Sequence, residues 1–251
     1  MKAEKFDKFK ICYPILENNI ESFVNKVKEV CKDKNCIVEL RLDYLILSGI
    51  NIDDILSMID LLKSRYSQKF IATIRSKAEG GICDLSKEEY YGFVEKLYLN
   101  SKADYIDVEY KYYDMDNVLY DKLFENRQKK IIVSSHVFDR VYSESEYIDY
   151  FKRMAGKKCD VVKFAISMPN KEELFTYMIA ARKMSKLLEF EGKECIFIAM
   201  GEVGQLSRLW PEFTNTKVVF LTAYKGSNKL GQFTYEKYTK YRKLLAKIVK
   251  N

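Results

Sequence analysis

Eight short apolar runs, separated by longer amphipathic stretches, constrain this chain more than any other feature. They begin with Phe9 to Ile15 and Cys36 to Leu45, and continue through Lys69 to Arg75, Ala103 to Tyr110 and Lys129 to His136. The last three are Cys159 to Ser167, Glu194 to Met200 and Lys217 to Ala223. Between them apolar residues recur at helical spacing, as in Ile20, Phe23, Val24, Val27 and Val30. Ile55, Leu56, Ile59, Leu61 and Leu62 form a second such stripe. Ser86 with Glu89 reads as a capping box that opens a helix. Further helices are expected over 116–126, 145–155, 171–190 and 234–249, with a short one near Gln205. Strands that are apolar along their whole length suit a parallel sheet covered by helices. Eight strand–helix units in 251 residues fit a (β/α)8 TIM barrel, an α/β fold of about 250 residues. The rival is an open doubly wound sheet, but neither GxGxxG nor GxxxxGK[ST] occurs. No break in composition divides the chain, so residues 1–251 read as one barrel domain, the first few forming an N-terminal extension.

Composition narrows the function. With 47% hydrophobic and 31% charged residues, the chain reads as globular and large enough for a core without disulfides. Its single histidine excludes a metal site built on two histidines. The six cysteines (Cys12, Cys31, Cys36, Cys83, Cys159 and Cys195) include no CxxC pair and are expected as free thiols. No run approaches the roughly 20 apolar residues that span a bilayer, and the charged N-terminus does not resemble a signal peptide. A cytoplasmic protein without a membrane partner is expected. The net charge of +7 comes mostly from lysines interleaved with acids, which reads as a solvated surface. It also suits attraction of a small anion or of nucleic acid. No nucleic-acid motif supports the latter, and no nucleic-acid partner is expected.

In a barrel, chemistry sits where strands run out into the following loops. Glu39, Arg41 and Asp43 alternate and are expected on one face of the second strand. The third ends in Arg75, with Glu79 in the Gly80–Gly81 loop beyond it. The fourth ends in Glu109 and the fifth in His136. Lys163 lies within the sixth, flanked by Val161, Val162, Phe164 and Ala165. The seventh ends at Met200, with Arg208 beyond. Each has a bland alternative: Glu39 and Arg41 as an internal ion pair, Arg75 as a strand-end cap, Glu109 as a structural acid, Lys163 as the partner of a buried carboxylate. Lys163 is the sharpest signal, because desolvation and nearby cations are expected to lower its pKa and leave a nucleophilic amine. An amine, one imidazole, carboxylates and arginines together suit imine chemistry on a ketone that carries a carboxylate. A class I aldolase-like barrel acting on another keto acid or sugar would use the same lysine. A basic nucleic-acid-binding module would leave Lys163 unexplained.

From about Lys10 to Val249 these residues resemble the type I 3-dehydroquinate dehydratase family. ELRLD at 39–43 resembles its E-x-R-x-D strand. TIRSKAEGG carries Arg75 and Glu79 as in its R-S-x-x-E-G-G loop. SSH ends at His136, DVVKFAISMP holds the imine lysine at Lys163, and MGEVGQLSRL holds Met200 and Arg208. Phe220 matches a pocket aromatic, and Gly231-Gln232 the end of a lid loop. The resemblance implies a carbon–oxygen lyase, a hydro-lyase, that converts 3-dehydroquinate to 3-dehydroshikimate and water in the shikimate pathway, leading to chorismate and the aromatic amino acids. It implies that Lys163 forms the imine, His136 moves the proton and Glu79 orients His136. Glu39, Arg41 and Arg75 would meet the ring hydroxyls, and Arg208 and Gln232 the carboxylate end. Asn228, Met200 and Phe220 would complete the pocket. No metal or organic cofactor is implied, and a homodimer is. The sequence departs from the family pattern at Val137, where an acid is common, at an apparent insertion of Ser167, and at Asn228 in the segment SNKLGQ.

Overall fold

A computed structural model describes residues 9–224 and 231–249. Its strands are β1 (Lys10–Ile15), β2 (Ile37–Arg41), β3 (Lys69–Thr73), β4 (Tyr105–Glu109), β5 (Lys130–Val137), β6 (Val161–Ser167), β7 (Glu194–Met200) and β8 (Val218–Phe220). Among the described residues they form one parallel eight-stranded sheet, ordered β7-β6-β5-β4-β3-β2-β1-β8. The Lys217 amide donates to the Cys195 carbonyl (2.9 Å) and brings the two ends of the sheet together. The result is the expected barrel.

The helices are α1 (Ile20–Val30), α2 (Asp43–Leu47), α3 (Ile52–Arg65), α4 (Lys87–Asn100), α5 (Tyr110–Met115), α6 (Asn117–Leu123), α7 (Glu144–Ala155), α8 (Lys171–Phe190), α9 (Gln205–Leu209) and α10 (Tyr235–Val249). Local chemistry starts several of them. Ser86 and Glu89 close a reciprocal capping box on α4, and Ser143 and Glu146 do the same on α7. Asn19 and Asn170 cap α1 and α8 through their side chains. Each cap satisfies amide hydrogens that the helix itself leaves open.

Alternation along the strands divides the core in two. Val38, Leu40, Phe70, Ala72, Ile106, Val108, Val162 and Phe164 belong to the large cluster under the helices. Burying each large side chain of this kind contributes roughly 1.5–3 kcal/mol. Residues of opposite parity form a smaller cluster inside the barrel, with Ile37, Ile71, Ile132, Val161, Ile196 and Val218. All six cysteines are free and buried. No helix among the described residues is long and apolar enough to cross a membrane.

Four elements differ from the sequence expectation. The third strand stops at Thr73, so Arg75 lies two residues beyond it. The second strand stops at Arg41, and Asp43 opens α2 instead of sharing a strand face with Glu39 and Arg41. There it accepts two hydrogen bonds from Arg41, both 2.8 Å. The helix expected over 116–126 is α6, shorter at its C-terminal end, and a separate turn of helix, α5, precedes it. Asp116 stands between them at φ −151° and ψ 70°, outside the helical region, and caps α6 through the Leu119 amide. The eighth strand is only three residues long. Beyond it, the Thr222 amide pairs with the Phe233 carbonyl instead of a strand neighbour.

Candidate active site

Above the apolar layer, the inward positions of β2 to β6 turn polar. Lys163 is 3% exposed in the middle of β6. Its Nζ donates to Glu39 Oε1 (2.9 Å) on β2 and to Asp107 Oδ2 (3.0 Å) on β4, and lies 4.7 Å from the Phe220 ring centroid. Thr73 donates to the same Glu39 oxygen (3.2 Å), and Ser134 donates to Asp107 Oδ1 (2.6 Å). Burial works against the Lys163 ammonium, but Asp107 and Glu39 outweigh it and raise the pKa. This corrects the expectation of an amine neutralised by burial: before substrate arrives, two carboxylates hold it charged.

Arg75 joins the loop to the barrel interior. One terminal nitrogen donates to Asp107 Oδ1 (2.8 Å). The other donates to Ser134 Oγ (2.9 Å), Glu79 Oε2 (3.3 Å) and Glu109 Oε1 (3.3 Å). Glu109 is fully buried and also accepts from the Ser76 amide and hydroxyl, both at 2.7 Å. Burial disfavours the charged Asp107, yet Arg75 and Lys163 pull its carboxyl down to about 2.

Glu79 and His136 form the next tier. Glu79 Oε2 accepts the His136 amide (3.0 Å) and faces Nδ1 of the same ring (3.0 Å). An oxygen that already accepts from an amide and from Arg75 is not the one carrying a proton. Nδ1 is therefore the donor, which leaves the lone pair on Nε2. Burial and then Glu109 push the Glu79 carboxyl up to about 8, against Arg75 and Lys111. A proton on Oε1 leaves this geometry unchanged. Burial, with Arg75, Lys163 and Arg41 nearby, holds His136 well below its ordinary pKa and so neutral.

These groups open onto one cavity of about 170 Å³. Of the residues singled out from sequence, Glu39, Arg41, Arg75, Glu79, His136, Lys163, Met200, Arg208, Phe220 and Gln232 all line it. Asn228 lies outside the described residues. Arg208 is buried, donates to the Ala199 carbonyl (2.9 Å), and is lowered to about 10 by burial. Arg41 is braced by Asp43 with its guanidinium carbon 5.4 Å from the Tyr44 ring centroid. Ser167 continues β6 in register with Met200, and Val137 is buried at the end of β5. Sequence reasoning missed Asp107, together with Tyr44 and Phe138 on the cavity wall. The parity of Asp107 with Glu109 on a short strand was the available signal. Among the described residues no group of three or more His, Cys, Asp or Glu could hold a metal ion. A second cavity, about 320 Å³, lies at the opposite barrel end, among Lys10, Lys69, Glu194 and Lys217.

The family model for type I 3-dehydroquinase matches residues 11–248. The chain belongs to the type I 3-dehydroquinase family. It is 29% identical over 213 residues to the 3-dehydroquinate dehydratase of Streptococcus mutans, covering 84% of this chain and 88% of that protein. It is 26% identical over 246 residues to the one from Clostridioides difficile, covering 96% and 93%. The crystal structure of the type I enzyme from Clostridium difficile with covalent modified comenic acid superposes with a TM-score of 0.83 at 25% identity, over 95% of this chain and 92% of that one. Orotidine 5'-monophosphate decarboxylase from Methanocaldococcus jannaschii, at TM-score 0.53 and 14% identity over 94% and 98%, shares only the barrel. As a type I 3-dehydroquinase, the chain carries the polar tiers described above at the C-terminal ends of its strands, where barrel enzymes place their chemistry.

Proposed function

We propose that this chain is a Schiff-base dehydratase that converts 3-dehydroquinate into 3-dehydroshikimate and water, within the shikimate pathway. The observation that carries the reading is Lys163, buried between two carboxylates beneath a histidine whose free nitrogen serves the same cavity. Register supports the pairing. Ser134 lies opposite Lys163 and His136 opposite Ala165, so His136 stands one inward step above Lys163 on the next strand, with Cα atoms about 8 Å apart.

The steps follow from the tiers. Asp107, made strongly acidic by Arg75 and Lys163, is a poor acceptor for the ammonium proton, so Glu39 takes it as the ketone approaches. The free amine adds to the carbonyl carbon, Glu39 returns the proton to the hydroxyl so formed, and that hydroxyl leaves as water, giving a protonated imine in place of the ammonium and Glu39 again as carboxylate. Asp107 and Glu39 then stabilise the iminium. The iminium withdraws electrons and acidifies the adjacent C2 proton, which Nε2 of His136 removes. The resulting imidazolium is stabilised through Nδ1 by Glu79. It returns the proton to the C1 hydroxyl, which departs as water while the ring gains its double bond. A second water hydrolyses the imine and frees Lys163. Arg208 and Gln232 meet the carboxylate end, and Glu39 and Arg41 the ring hydroxyls, with Met200 and Phe220 completing the described wall of the pocket. Arg75, its terminal nitrogens already engaged, positions the others. Every step uses the chain's own groups, without a metal or organic cofactor.

A cytoplasmic location stays the expectation drawn from the sequence, and a homodimer rests on the family resemblance. The test of the chemistry combines protein with 3-dehydroquinate, follows the ultraviolet absorbance of the conjugated product, and weighs a borohydride-quenched sample. Turnover with one adduct on Lys163 is expected. Lys163→Ala should show neither. His136→Ala should form the adduct and turn over at least ~100-fold more slowly. Undiminished turnover in Lys163→Ala would refute the imine mechanism.

A further inference from the structure

We propose that the outward face of α8 is the surface through which two copies of this chain pair, helix against antiparallel helix, about a dyad at Ile179. The proposal rests on the homodimer reading and names its interface. The helix buries Leu174, Tyr177, Met178, Ala181, Met184 and Leu188 against the barrel. Its opposite face sets exposed apolar residues among charged ones, where solvation would favour polar residues throughout. Phe175 is 52% exposed, Ile179 42% and Phe190 90%. At 100° per residue, Glu172, Phe175, Lys183, Lys186 and Phe190 all fall within about 40° of Ile179. The face is thus a single stripe, and apolar patches of this kind mark interaction surfaces.

The order along the stripe from Glu172 to Lys186 is acid, apolar, base, with the exposed Phe190 beyond it at the helix end. A closed two-fold contact requires that when residue i meets residue j, j also meets i. An antiparallel pair centred on Ile179 meets that condition. Ile179 packs on its own copy, Phe175 lies over the Lys183 stem of the second copy, and Glu172 faces the second copy's Lys186, with the same pairs repeated across the axis. The flank is also aromatic and fixed. Arg182 lies over Phe213 (4.9 Å to the ring centroid) and donates to its carbonyl (3.1 Å), and the Phe213 ring packs tilted against Trp210 (4.8 Å between centroids). Trp210 is itself 40% exposed, which widens the patch beyond one helix. A solvated helix has no need of this symmetry; acids early and bases late would complement its dipole without an apolar centre.

Sedimentation equilibrium of the full chain tests this. The unmodified protein should sediment as two chains. Ile179→Glu sets two carboxylates face to face at the axis and should raise the dissociation constant roughly 100-fold or more. Glu172→Lys and Lys186→Glu should each weaken self-association. Mixing those two variants should restore a dimer, because each end of the mixed pair again joins opposite charges. Circular dichroism checks that the variants fold. A monomeric unmodified protein would overturn both the homodimer and this surface, whereas the dehydratase assay stands apart. A dimer that survives Ile179→Glu, or dissociation by that variant without rescue on mixing, would overturn the surface alone.

Discussion

At Asp107 one carboxylate meets the Lys163 ammonium, the Arg75 guanidinium and the Ser134 hydroxyl, all within 3.0 Å. Removing one member of such a cluster leaves the others buried and uncompensated. Asp107→Asn should therefore lower stability by about 3 kcal/mol in urea unfolding. It also removes a charge that raises the Lys163 pKa. The pH dependence of the borohydride-trapped adduct should then shift to lower pH, and an unchanged profile would show that Glu39 alone sets the amine. Neither consequence was open to sequence reasoning centred on strand ends. Lys163 and His136 were legible because one interrupts an apolar run and the other lies at the end of one, and Glu79 and Arg208 because they lie in the segments that follow β3 and β7. Asp107 was not, because it lies mid-strand beside the more conspicuous Glu109. The charge state of Lys163 was misread for the same reason. Burial is visible in an apolar run, but two carboxylates arriving from strands 124 and 56 residues away are not.

The loop after β3 shows how an element holds the site. Lys77 to Glu79 make a single 3-10 turn, Gly80 follows at φ +82°, and Gly81 donates to the Ser76 carbonyl (2.9 Å). That turn aims Glu79 back at Arg75 and His136. A Cβ on Gly81 would sit 1.9 Å from the Arg75 carbonyl oxygen, so the loop must move for any side chain there. Gly81→Ala should displace Glu79 and cost about 10²-fold in turnover, while the Lys163 adduct still forms. The cap of the next helix provides a contrast. Ser86→Ala removes half of a capping box and should destabilise by about 1 kcal/mol without slowing turnover. A loss of turnover in Ser86→Ala comparable to that in Gly81→Ala would mean that the whole β3–α4 unit, not the turn, sets the geometry. The eight strands and the longer helices were legible, because period and length separate strands from helices, whereas the short helices α2 and α5 were not. Boundaries were less legible. The run from Cys36 to Leu45 alternates apolar and charged residues through Asp43, and the bidentate Arg41–Asp43 contact marks where strand gives way to helix.

For the whole molecule, the barrel interior is layered by charge: apolar at the N-terminal end, ionised in the middle, titratable at the mouth. The layers predict how stability follows pH. Asp107, held down to about 2, contributes stability that is present above its unfolded pKa of about 4 and is lost as pH falls through about 2. His136, held neutral, binds a proton more readily when unfolded, so folding weakens further below about pH 6.5. Glu79 acts with the opposite sign. Its folded pKa of about 8 lies above the unfolded value, so the folded state binds the extra proton between about pH 4.5 and 8, and stability falls as pH rises through that window. Below pH 6.5 the His136 and Glu79 slopes oppose each other. From about pH 6.5 to 8 Glu79 acts without that opposition, and the unmodified protein should lose on the order of 1–2 kcal/mol. Glu79→Gln cannot titrate and should remove that slope while retaining the acid-side loss. Urea midpoints measured at half-unit steps from pH 5 to 8.5 on both proteins read the difference directly. If the two curves run parallel above pH 6.5, the proton on Glu79 is not part of the resting site, and the His136–Glu79 pair works from an ionised carboxylate throughout.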